Sequence, residues 1–474
     1  MRELFPEPVL ASLRAAPDRP AIEDGSRTVS RGALHAMVAR IAANLARAGL
    51  GPGDGVGMVL SLTPEAYAAH LAAHALGFRV AAARPAWSAP QLRHALQGTV
   101  DAVVADRPID VGIRVLPLAD LLAASPGDAS VPQRARADDV ARLTFTSGST
   151  GSPKACAHTY RAISLAYQTR EWPPALARLL GHFERCLVTE NLASPVMVTY
   201  LGRTLVAGGT VVLPAGLTPP QAIEAYGITA TMTTPARLHQ TLRADADLRS
   251  LRAVLIGGSP AGPQFLRAAE RRLGPIVWQG YGQAEAGVIA MLTPEDIASG
   301  HEESVGRPLP AVEVAVRAGE VCVRSSHMMV GYWNDPEQSA EVLRDGWLHT
   351  RDLGYVDDGG FLCLTGRSRD VIMVNAEVCY AGAVERVLAA HPDVAQAYVV
   401  GVPDPVTGEA IHAFVVPAGA RVPAAAELTD LVRRTLSANS VPALVTVIRD
   451  VPVGAGGKPD KAALTDRTGT VDRA

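Results

Sequence analysis

The chain has 474 residues, of which 48% are hydrophobic and 19% charged, and its formal net charge at pH 7 is −3. This hydrophobic content excludes an intrinsically disordered chain, and the length predicts roughly two to four domains. The near-neutral charge gives no electrostatic reason to expect nucleic-acid binding.

The N-terminal segment and the cysteines indicate the compartment. The first ten residues, MRELFPEPVL, lack the apolar run of a signal peptide. The most apolar stretch, 66–83, contains His70, His74 and Arg79, which predicts a buried helix followed by a strand and not a membrane span. The five cysteines are scattered without a C-x-x-C pair, which argues against a zinc site and a disulfide framework. We therefore expect a cytoplasmic protein with no membrane span.

Strand and helix patterns alternate through the first two-thirds of the chain. Apolar residues at helical spacing predict a helix over 34–45, which Gly49 ends. A second helix is predicted from Pro64. Short apolar runs predict four strands, at 55–61, 141–147, 210–214 and 253–258. Continuous apolar strands between helices predict an α/β fold with layered, mostly parallel sheets that are covered on both faces.

The pattern changes near residue 370. Two helices are predicted near 383–390 and 424–437. Four apolar runs accompany them as candidate strands, at 371–375, 395–402, 410–417 and 443–451. We expect a small α+β domain of about 100 residues at this end of the chain.

Lysine is rare in this chain. Lys154, Lys458 and Lys461 are the only lysines among the 44 basic residues, and the other 41 are arginine. Coding bias toward arginine explains most of this difference. The three remaining lysines are nevertheless candidates for positions that need a compact point charge, which a guanidinium does not supply.

Residues 146–154 form a candidate anion-binding loop after a predicted strand. The loop combines hydroxyl residues, two glycines and a lysine: Thr146, Ser147, Gly148, Ser149, Thr150, Gly151, Ser152, Pro153 and Lys154. The glycines allow backbone N–H groups to converge on an anion, the hydroxyls donate, and the amine adds charge. An ordinary Gly/Ser loop is the alternative. The segment is not a Walker loop, because proline precedes the lysine and alanine follows it.

The segment TFTSGSTGSPK resembles the signature of the adenylate-forming (ANL) superfamily, which includes acyl-CoA ligases, adenylation domains and luciferases. Further segments recur in the family's order and spacing: YGQAEAG (281–287), GEVCVRSSHMMVGYW (319–333), GWLHTRDLGYVDDGG (346–360), GRSRDVI (366–372) and GGKPDKAAL (456–464). The resemblance covers nearly the whole chain and is typical of an AMP-binding acyl-CoA ligase of bacterial secondary metabolism. It implies a large AMP- and acyl-binding domain over 1–368, a hinge near Arg369 and a small mobile lid domain over 370–474.

The resemblance also implies catalytic roles. The family makes an acyl-adenylate from an acid and ATP, releases pyrophosphate, and then lets coenzyme A attack. The 146–154 loop would grip the β- and γ-phosphates, and Glu285 would bind Mg²⁺. Lys458 would bridge the substrate carboxylate and the α-phosphate, where one ammonium lowers the repulsion between two anions. An exposed lysine in a Gly-rich turn is the alternative for Lys458, and it describes Lys461 better.

The remaining implied contacts are with the nucleotide. Tyr281 would lie against adenine, Asp352 would accept both ribose hydroxyls, and Arg367 would reach the nucleotide from the hinge side. Four small residues would line the nucleotide: Gly257, Gly258, Gly282 and Ala284. Core packing is an alternative for the first two glycines, and a solvated arginine is an alternative where arginine is so common.

Four positions depart from the family's pattern. Ala284 replaces a threonine whose hydroxyl meets the α-phosphate. Arg351 replaces a glycine beside Asp352, where it would compete with ribose, crowd the phosphates or point outward. Ala376 replaces a glycine that lines the coenzyme A tunnel. The gate of the acyl pocket, expected near 191–197, is small and falls at Ala193 or Ser194.

We predict an AMP-forming acyl-CoA ligase that converts a bulky apolar carboxylic acid into its coenzyme A thioester. ATP or AMP, Mg²⁺ and coenzyme A are the expected cofactors. The two departures at the nucleotide leave open a weak or lost adenylation half, in which case a separate enzyme would supply the acyl-adenylate. The motifs also leave open a stand-alone enzyme that loads a carrier protein, and a nucleotide-binding regulator without catalysis.

Overall fold

The computed structural model describes residues 3–25, 27–123, 130–146, 154–169, 172–368, 370–454 and 458–471. Within these ranges the strands are β1 Pro20–Asp24, β2 Arg27–Ser30, β3 Gly55–Val59, β4 Arg79–Ala82, β5 Ala102–Ala105, β6 Val115–Pro117, β7 Val140–Thr146, β8 Lys154–Thr159, β9 Arg185–Leu187, β10 Thr210–Leu213, β11 Ala230–Thr233, β12 Ala253–Gly257, β13 Val277–Gln283, β14 Gly287–Leu292, β15 Arg307–Pro308, β16 Val312–Arg317, β17 Glu320–Ser325, β18 Gly331–Tyr332, β19 Leu343–Arg344, β20 Trp347–Val356, β21 Leu362–Arg367, β22 Val371–Val374, β23 Glu377–Tyr380, β24 Val394–Asp404, β25 Gly408–Pro417 and β26 Leu444–Val447.

The helices in the same part of the chain are α1 Glu7–Ala15, α2 Arg31–Arg47, α3 Pro64–Ala75, α4 Ala89–Leu96, α5 Leu118–Ala123, α6 Tyr160–Ser164, α7 Pro174–Gly181, α8 Pro195–Val206, α9 Pro219–Tyr226, α10 Pro235–Arg243, α11 Pro263–Leu273, α12 Pro294–Ala298, α13 Pro336–Val342, α14 Ala381–Ala389, α15 Ala425–Thr435 and α16 Lys461–Val471. Several begin with a hydroxyl residue followed by proline. Thr63, Ser194 and Thr234 each accept a backbone N–H from the first turn of α3, α8 and α10. Such caps satisfy a donor that a helix start leaves unpaired.

Two large sheets build the N-terminal domain. The first has nine strands in the order β15-β14-β13-β12-β11-β9-β10-β1-β2, and it is parallel from β13 through β1. The second has seven strands in the order β18-β8-β7-β4-β3-β5-β6, and it is parallel from β7 through β6. The largest apolar core contains residues of α2, α3, α8 and both sheets. The predicted α/β class with layered, mostly parallel sheets is confirmed.

The predicted elements of the N-terminal domain are found close to their expected positions. The helix expected over 34–45 is α2, and Gly49 follows it with a φ of 79°. The strand alternation, however, ends earlier than residue 370. Strands β16, β17, β20 and β21 form an antiparallel sheet before that point. Tight hairpins make this sheet: the β16–β17 turn has two residues at positive φ, Ala318 and Gly319.

The C-terminal part is a small α+β domain, as predicted. Its sheet has the order β23-β22-β25-β24, and β26 pairs with β25. Gln396 donates to the carbonyl of Pro235 over 3.3 Å, and Arg243 donates to the carbonyl of Arg449 over 3.3 Å. These contacts dock the small domain on α10 of the large one. The division into 1–368 and 370–474 stays a prediction. No described helix is long and apolar enough to cross a membrane.

Candidate active site

Strands β7 and β8 carry the two ends of the predicted phosphate loop. They pair antiparallel with Thr146 opposite Lys154, and the Thr146 hydroxyl donates to the Lys154 carbonyl over 3.5 Å. The loop residues between them lie outside the described residues: Ser147, Gly148, Ser149, Thr150, Gly151, Ser152 and Pro153. Their role as phosphate ligands therefore stays a prediction. The lysine at the end of the loop is the part that the structure locates.

Lys154 and the predicted magnesium ligand Glu285 lie on either side of Tyr332. The Lys154 ammonium is 5.1 Å from the Tyr332 ring centroid, and the Tyr332 hydroxyl donates to Glu285 Oε1 over 2.9 Å. Burial and the neighbouring carboxylate raise the pKa of Tyr332. Tyr332 is held here because β18 pairs with β8. Sequence analysis quoted the motif that contains Tyr332 but assigned it no role.

Asp352 is the centre of a hydrogen-bonded cluster. It is 2% exposed. Its Oδ2 accepts from the Tyr281 hydroxyl over 2.5 Å and from Gln283 Nε2 over 2.6 Å, and its Oδ1 accepts from Arg367 Nε over 2.7 Å. The structure therefore brings together three residues that the sequence predicted for the nucleotide, and it adds Gln283. A ribose can reach this carboxylate only by sharing it with these donors or by displacing them.

Arg351 points away from that cluster. Its backbone adopts a φ of 62°, a conformation that glycine takes more easily. Its N–H donates to Glu320 Oε1 over 2.8 Å, and its guanidinium pairs with Glu341 over 2.9 Å. Its charge still acts on Tyr332, the tyrosine that donates to Glu285, so the side chain remains near the predicted polyphosphate end. Competition with ribose for Asp352 is not supported.

Glu320 also belongs to a group of possible metal ligands. Glu320, Cys322 and His349 each offer one ligand atom within 4.8 Å of the others. His349 Nδ1 is 2.9 Å from Glu320, and burial raises the pKa of the Cys322 thiol, which opposes the thiolate that a metal prefers. We interpret this group as the network that holds the backbone of Arg351 in its left-handed turn.

The predicted glycines differ in what requires them. A side chain at Gly257 would place its Cβ 2.9 Å from the Gly280 carbonyl oxygen, and one at Gly282 would approach the Gly287 carbonyl to 2.3 Å. Close strand packing therefore accounts for these two. Gly258 has a φ of 83°, and an added Cβ would lie 3.4 Å from Lys458 Cε. Of these three glycines, Gly258 is the one beside a predicted catalytic side chain.

Lys458 reaches the cleft between the domains. The residue is exposed at the surface, but protein atoms around the ammonium partly desolvate it and lower its pKa, and the charges of Arg367 and Arg84 lower this pKa further. Two carboxylates oppose this shift, Glu190 and Glu285. Lys461 instead pairs with Glu385 over 2.8 Å on the small domain. The two lysines of one motif therefore have different surroundings, and only Lys458 faces the predicted nucleotide groups.

Glu190 is a second carboxylate in the cleft that the sequence did not assign to the site. Its side chain is 12% exposed and pairs with Arg237 over 3.1 Å. Burial raises the pKa of Glu190, although Arg237, Arg84 and Lys458 attract its charged form. Burial is the largest cause of both shifts, and for Lys458 the charges of Arg367 and Arg84 act in the same direction. Periodicity could not identify this residue, because its segment precedes α8 without a motif.

The last predicted positions are spread over three places. Ala193 lines a cavity beside α8, whereas the Ser194 hydroxyl caps that helix. Ala376 is exposed at the tip of the β22–β23 hairpin with a φ of 62°. Arg369, the predicted hinge, lies outside the described residues. Its role and that of Ala376 in the coenzyme A path stay predictions.

Comparison with known proteins places this arrangement in a family context. The family model for AMP-binding enzymes matches residues 10–333. The model for the C-terminal domain of AMP-binding enzymes matches residues 383–458. The matches include Tyr281, Glu285 and Lys458, whereas Asp352 and Arg367 lie between the two matched ranges.

Three similar proteins differ in the acceptor that their names state. The medium/long-chain-fatty-acid–CoA ligase FadD8 of Mycobacterium tuberculosis is 35% identical to this chain. The match covers 70% of this chain and 62% of that relative's length. The fatty acid–[acyl-carrier-protein] ligase ScoC of Streptomyces coeruleorubidus is 30% identical over 95% of this chain and 94% of its own. The solved structure of the amide bond synthetase McbA of Marinactinospora thermotolerans has a TM-score of 0.83 and 34% identity, over 97% of this chain and 99% of that one.

Proposed function

The chain belongs to the family of AMP-binding enzymes, and from that premise we propose that it adenylates a bulky, largely apolar carboxylic acid and transfers the acyl group to coenzyme A. In the first step a carboxylate oxygen attacks the α-phosphorus of ATP, and pyrophosphate leaves. In the second step the thiol sulfur attacks the acyl carbonyl carbon, and AMP leaves. The products are the thioester, AMP and pyrophosphate.

The position of Lys458 is the observation that carries this proposal. The small domain is docked so that this ammonium lies beside the turn at Gly258 and within electrostatic reach of Glu285 and Arg367. A cation at this point can stabilise the charge that develops between carboxylate and α-phosphate in the transition state. This docking supports the adenylation step of the proposal.

Glu285 and Lys154 would serve the polyphosphate end. A carboxylate is a hard oxygen donor that suits Mg²⁺, and the ion would neutralise phosphate charge when bound. Tyr332 orients Glu285 through its hydrogen bond, and the ring holds the Lys154 ammonium over its face. Asp352 would accept the ribose hydroxyls, with Tyr281 and Arg367 as neighbours that adjust to the nucleotide.

The acyl acceptor has two further candidates. The likeness to ScoC favours a carrier-protein arm, and the likeness to McbA favours an amine. Ala376 supports the amine rather than either thiol acceptor, since a methyl group stands where the tunnel for the pantetheine arm, which coenzyme A and a carrier protein share, is expected to have glycine. Glu190 supports the amine in particular: burial raises its pKa, so it is a stronger base toward an ammonium nucleophile than an exposed glutamate.

A ligase confined to the thioester step is the remaining alternative. It depended on two departures from the family pattern, Ala284 and Arg351. The guanidinium of Arg351 pairs with Glu341 and does not pair with Asp352. Ala284 is therefore the departure that argues more directly for a weak adenylation half.

Pyrophosphate exchange with a panel of acids tests the proposal. Acid-dependent exchange, followed by thioester formation with coenzyme A detected by mass, is the expected result. Each acid and its synthetic adenylate should be offered in parallel to coenzyme A, to a phosphopantetheinylated carrier protein and to an amine. Product from the adenylate without exchange would favour the thioester-only ligase, and no acyl transfer from either would refute the proposed function.

A further inference from the structure

A narrow cavity lies beside the predicted acyl gate. It is enclosed by β4, β7, α3 and α8, and Ala193 and Val198 form part of its wall. About 410 Å³ is unfilled by protein atoms, part of it open to solvent, and about 20 Å³ can hold the centre of a water molecule. That space suits about one water or a small polar end group, and it does not suit an aromatic ring.

Arg142 contributes its guanidinium to the wall of this cavity. It lies on β7 and lines the cavity, and its Nε is buried without a hydrogen-bond partner among the described residues. The Arg142 guanidinium also forms no ion pair with any of the described residues. Arg142 is half-buried, and arginine keeps its proton in proteins, so the group is a partly enclosed cation with no anion among the described residues. An anionic group of a ligand would offset the cost of removing this charge from water.

The groups that face Arg142 do not neutralise it. Burial lowers the pKa of His70 to about 4 and raises the pKa of Tyr167 to about 12. Burial likewise lowers the pKa of His74 and raises that of the Cys156 thiol. All four are therefore neutral near pH 7. Arg142 is the one charged group among the described residues that line the cavity.

Thr144 provides a second unused polar group on the same strand. It is 6% exposed, it lines the cavity, and its hydroxyl has no hydrogen-bond partner among the residues that the structure describes. Arg142 and Thr144 are two residues apart on β7, so both side chains point to the same face of the sheet. A guanidinium and a hydroxyl that converge on one small space match a carboxylate, which accepts several hydrogen bonds.

The cavity is connected to the predicted reaction centre by the chain itself. Leu192 and Ala193 line the cavity, and Glu190, two residues before Leu192, lies within electrostatic reach of Lys458. Ala193 is also the predicted acyl gate, so the cavity lies on the acyl side of the predicted reaction centre.

We propose that the acid carries a second carboxylate at the end remote from the reacting group, and that Arg142 pairs with this carboxylate while Thr144 donates to it. The proposal rests on the proposed adenylating function and narrows its substrate class to bulky acids with an anionic far end. Arg142 is thus a specificity-determining residue. The apolar wall at Ala193 and Val198 would contact the body of the acid between its two polar ends.

Matched acids test the inference in the wild-type enzyme. We would compare 4-carboxycinnamic with 4-methylcinnamic acid, and suberic with octanoic acid, by acid-dependent pyrophosphate exchange and by calorimetric binding of the free acids. A charge-assisted contact predicts a preference of roughly tenfold or more for the dicarboxylic member of at least one pair. No preference in either binding or exchange would overturn the inference. A binding preference without any exchange would support it while contradicting the proposed function.

Variants of Arg142 assign that preference to its guanidinium. Arg142→Met should abolish the preference while retaining activity toward the monocarboxylic acids, and Arg142→Lys should keep part of it. Arg79→Met is the matched control: it removes another guanidinium from the same sheet, one bonded to the carbonyls of Gly53 and Thr99, and should leave the preference unchanged. An unchanged preference in Arg142→Lys and Arg142→Met would refute the assignment. If Arg142→Met does not fold, Arg142→Lys and Thr144→Val decide, since each should weaken the preference.

Discussion

The nucleotide end and the acyl end of the cleft differ in how their buried polar groups are hydrogen-bonded. At the nucleotide end, the buried carboxylate of Asp352 already accepts from Tyr281, Gln283 and Arg367. At the acyl end, the Nε of Arg142 and the hydroxyl of Thr144 have no hydrogen-bond partner among the described residues. The polar groups of the first end satisfy one another, whereas these two groups of the second end do not.

This difference teaches where specificity resides. A buried polar group left unpaired costs about 1–3 kcal/mol, so a chain retains it where a ligand or water compensates. The nucleotide groups would serve ATP in any member of the family and can satisfy one another between turnovers. The acyl groups would serve one class of acid. Polar groups that lack hydrogen-bond partners are therefore more informative about the substrate than the motif residues that bond one another.

The largest predicted effect concerns Lys458, which lies between the two ends. Lys458→Ala should lower acid-dependent pyrophosphate exchange roughly 10²- to 10³-fold, because it removes the cation that stabilises the adenylation transition state. Thioester formation from supplied adenylate should persist. Both rates are measured on one preparation of the variant.

The matched control for that variant is Lys461→Ala. Lys461 belongs to the same motif but pairs with Glu385 on the small domain. Its substitution should leave exchange within about twofold, since a partly exposed ion pair contributes about 0–1 kcal/mol to stability. Equal losses in the two variants would mean that the segment as a whole, and not the Lys458 charge, is responsible.

The next effect belongs to the nucleotide end. Ala284→Thr should raise exchange by about tenfold, because the added hydroxyl restores a hydrogen bond to the α-phosphate worth about 1–3 kcal/mol. Arg351→Gly should leave exchange unchanged, since its guanidinium pairs with Glu341. A gain from Arg351→Gly alone, measured as kcat/KM for ATP, would show that this arginine obstructs the nucleotide after all.

The nucleotide end shows which part of the site could be predicted from the sequence. The motifs identified Tyr281, Asp352 and Arg367, and the structure brings these three residues together. The direction of the Arg351 side chain was not predictable, because it depends on Glu341 and on a backbone turn that Glu320 holds.

The acyl end could not be found in the same way. With 41 arginines in the chain, residue type alone does not distinguish Arg142 from solvated ones. Its importance appears only when burial and pairing are known. The antiparallel sheet of β16, β17, β20 and β21 was missed for a related reason: its pairing depends on hairpin turns, and apolar periodicity does not report them.

A pair of stability measurements contrasts the two ends directly. Tyr281→Phe should lower the free energy of unfolding by about 1–2 kcal/mol, because it removes a donor to a buried carboxylate. Thr144→Val, nearly the same in shape, should be neutral or stabilising by up to about 1 kcal/mol, since the lost hydroxyl has no partner to abandon. Denaturant unfolding of the ligand-free protein measures both. A destabilised Thr144→Val would show that its hydroxyl is already satisfied and would remove the contrast.

The smallest predicted effect is a change in pH dependence, and it reports on the connection between the two ends. Adenylation requires the Lys458 ammonium, so activity is retained below the pKa of Lys458 in the folded protein and is lost as the pH rises through it. Burial, Arg367 and Arg84 lower this pKa, and Glu190 opposes them. Glu190→Gln should therefore move the alkaline limb of the exchange rate to lower pH, and Arg84→Met should move it to higher pH. If both variants moved the limb in the same direction, its titration would belong to another group, and Lys458 would not be the residue through which the acyl side of the cleft affects adenylation.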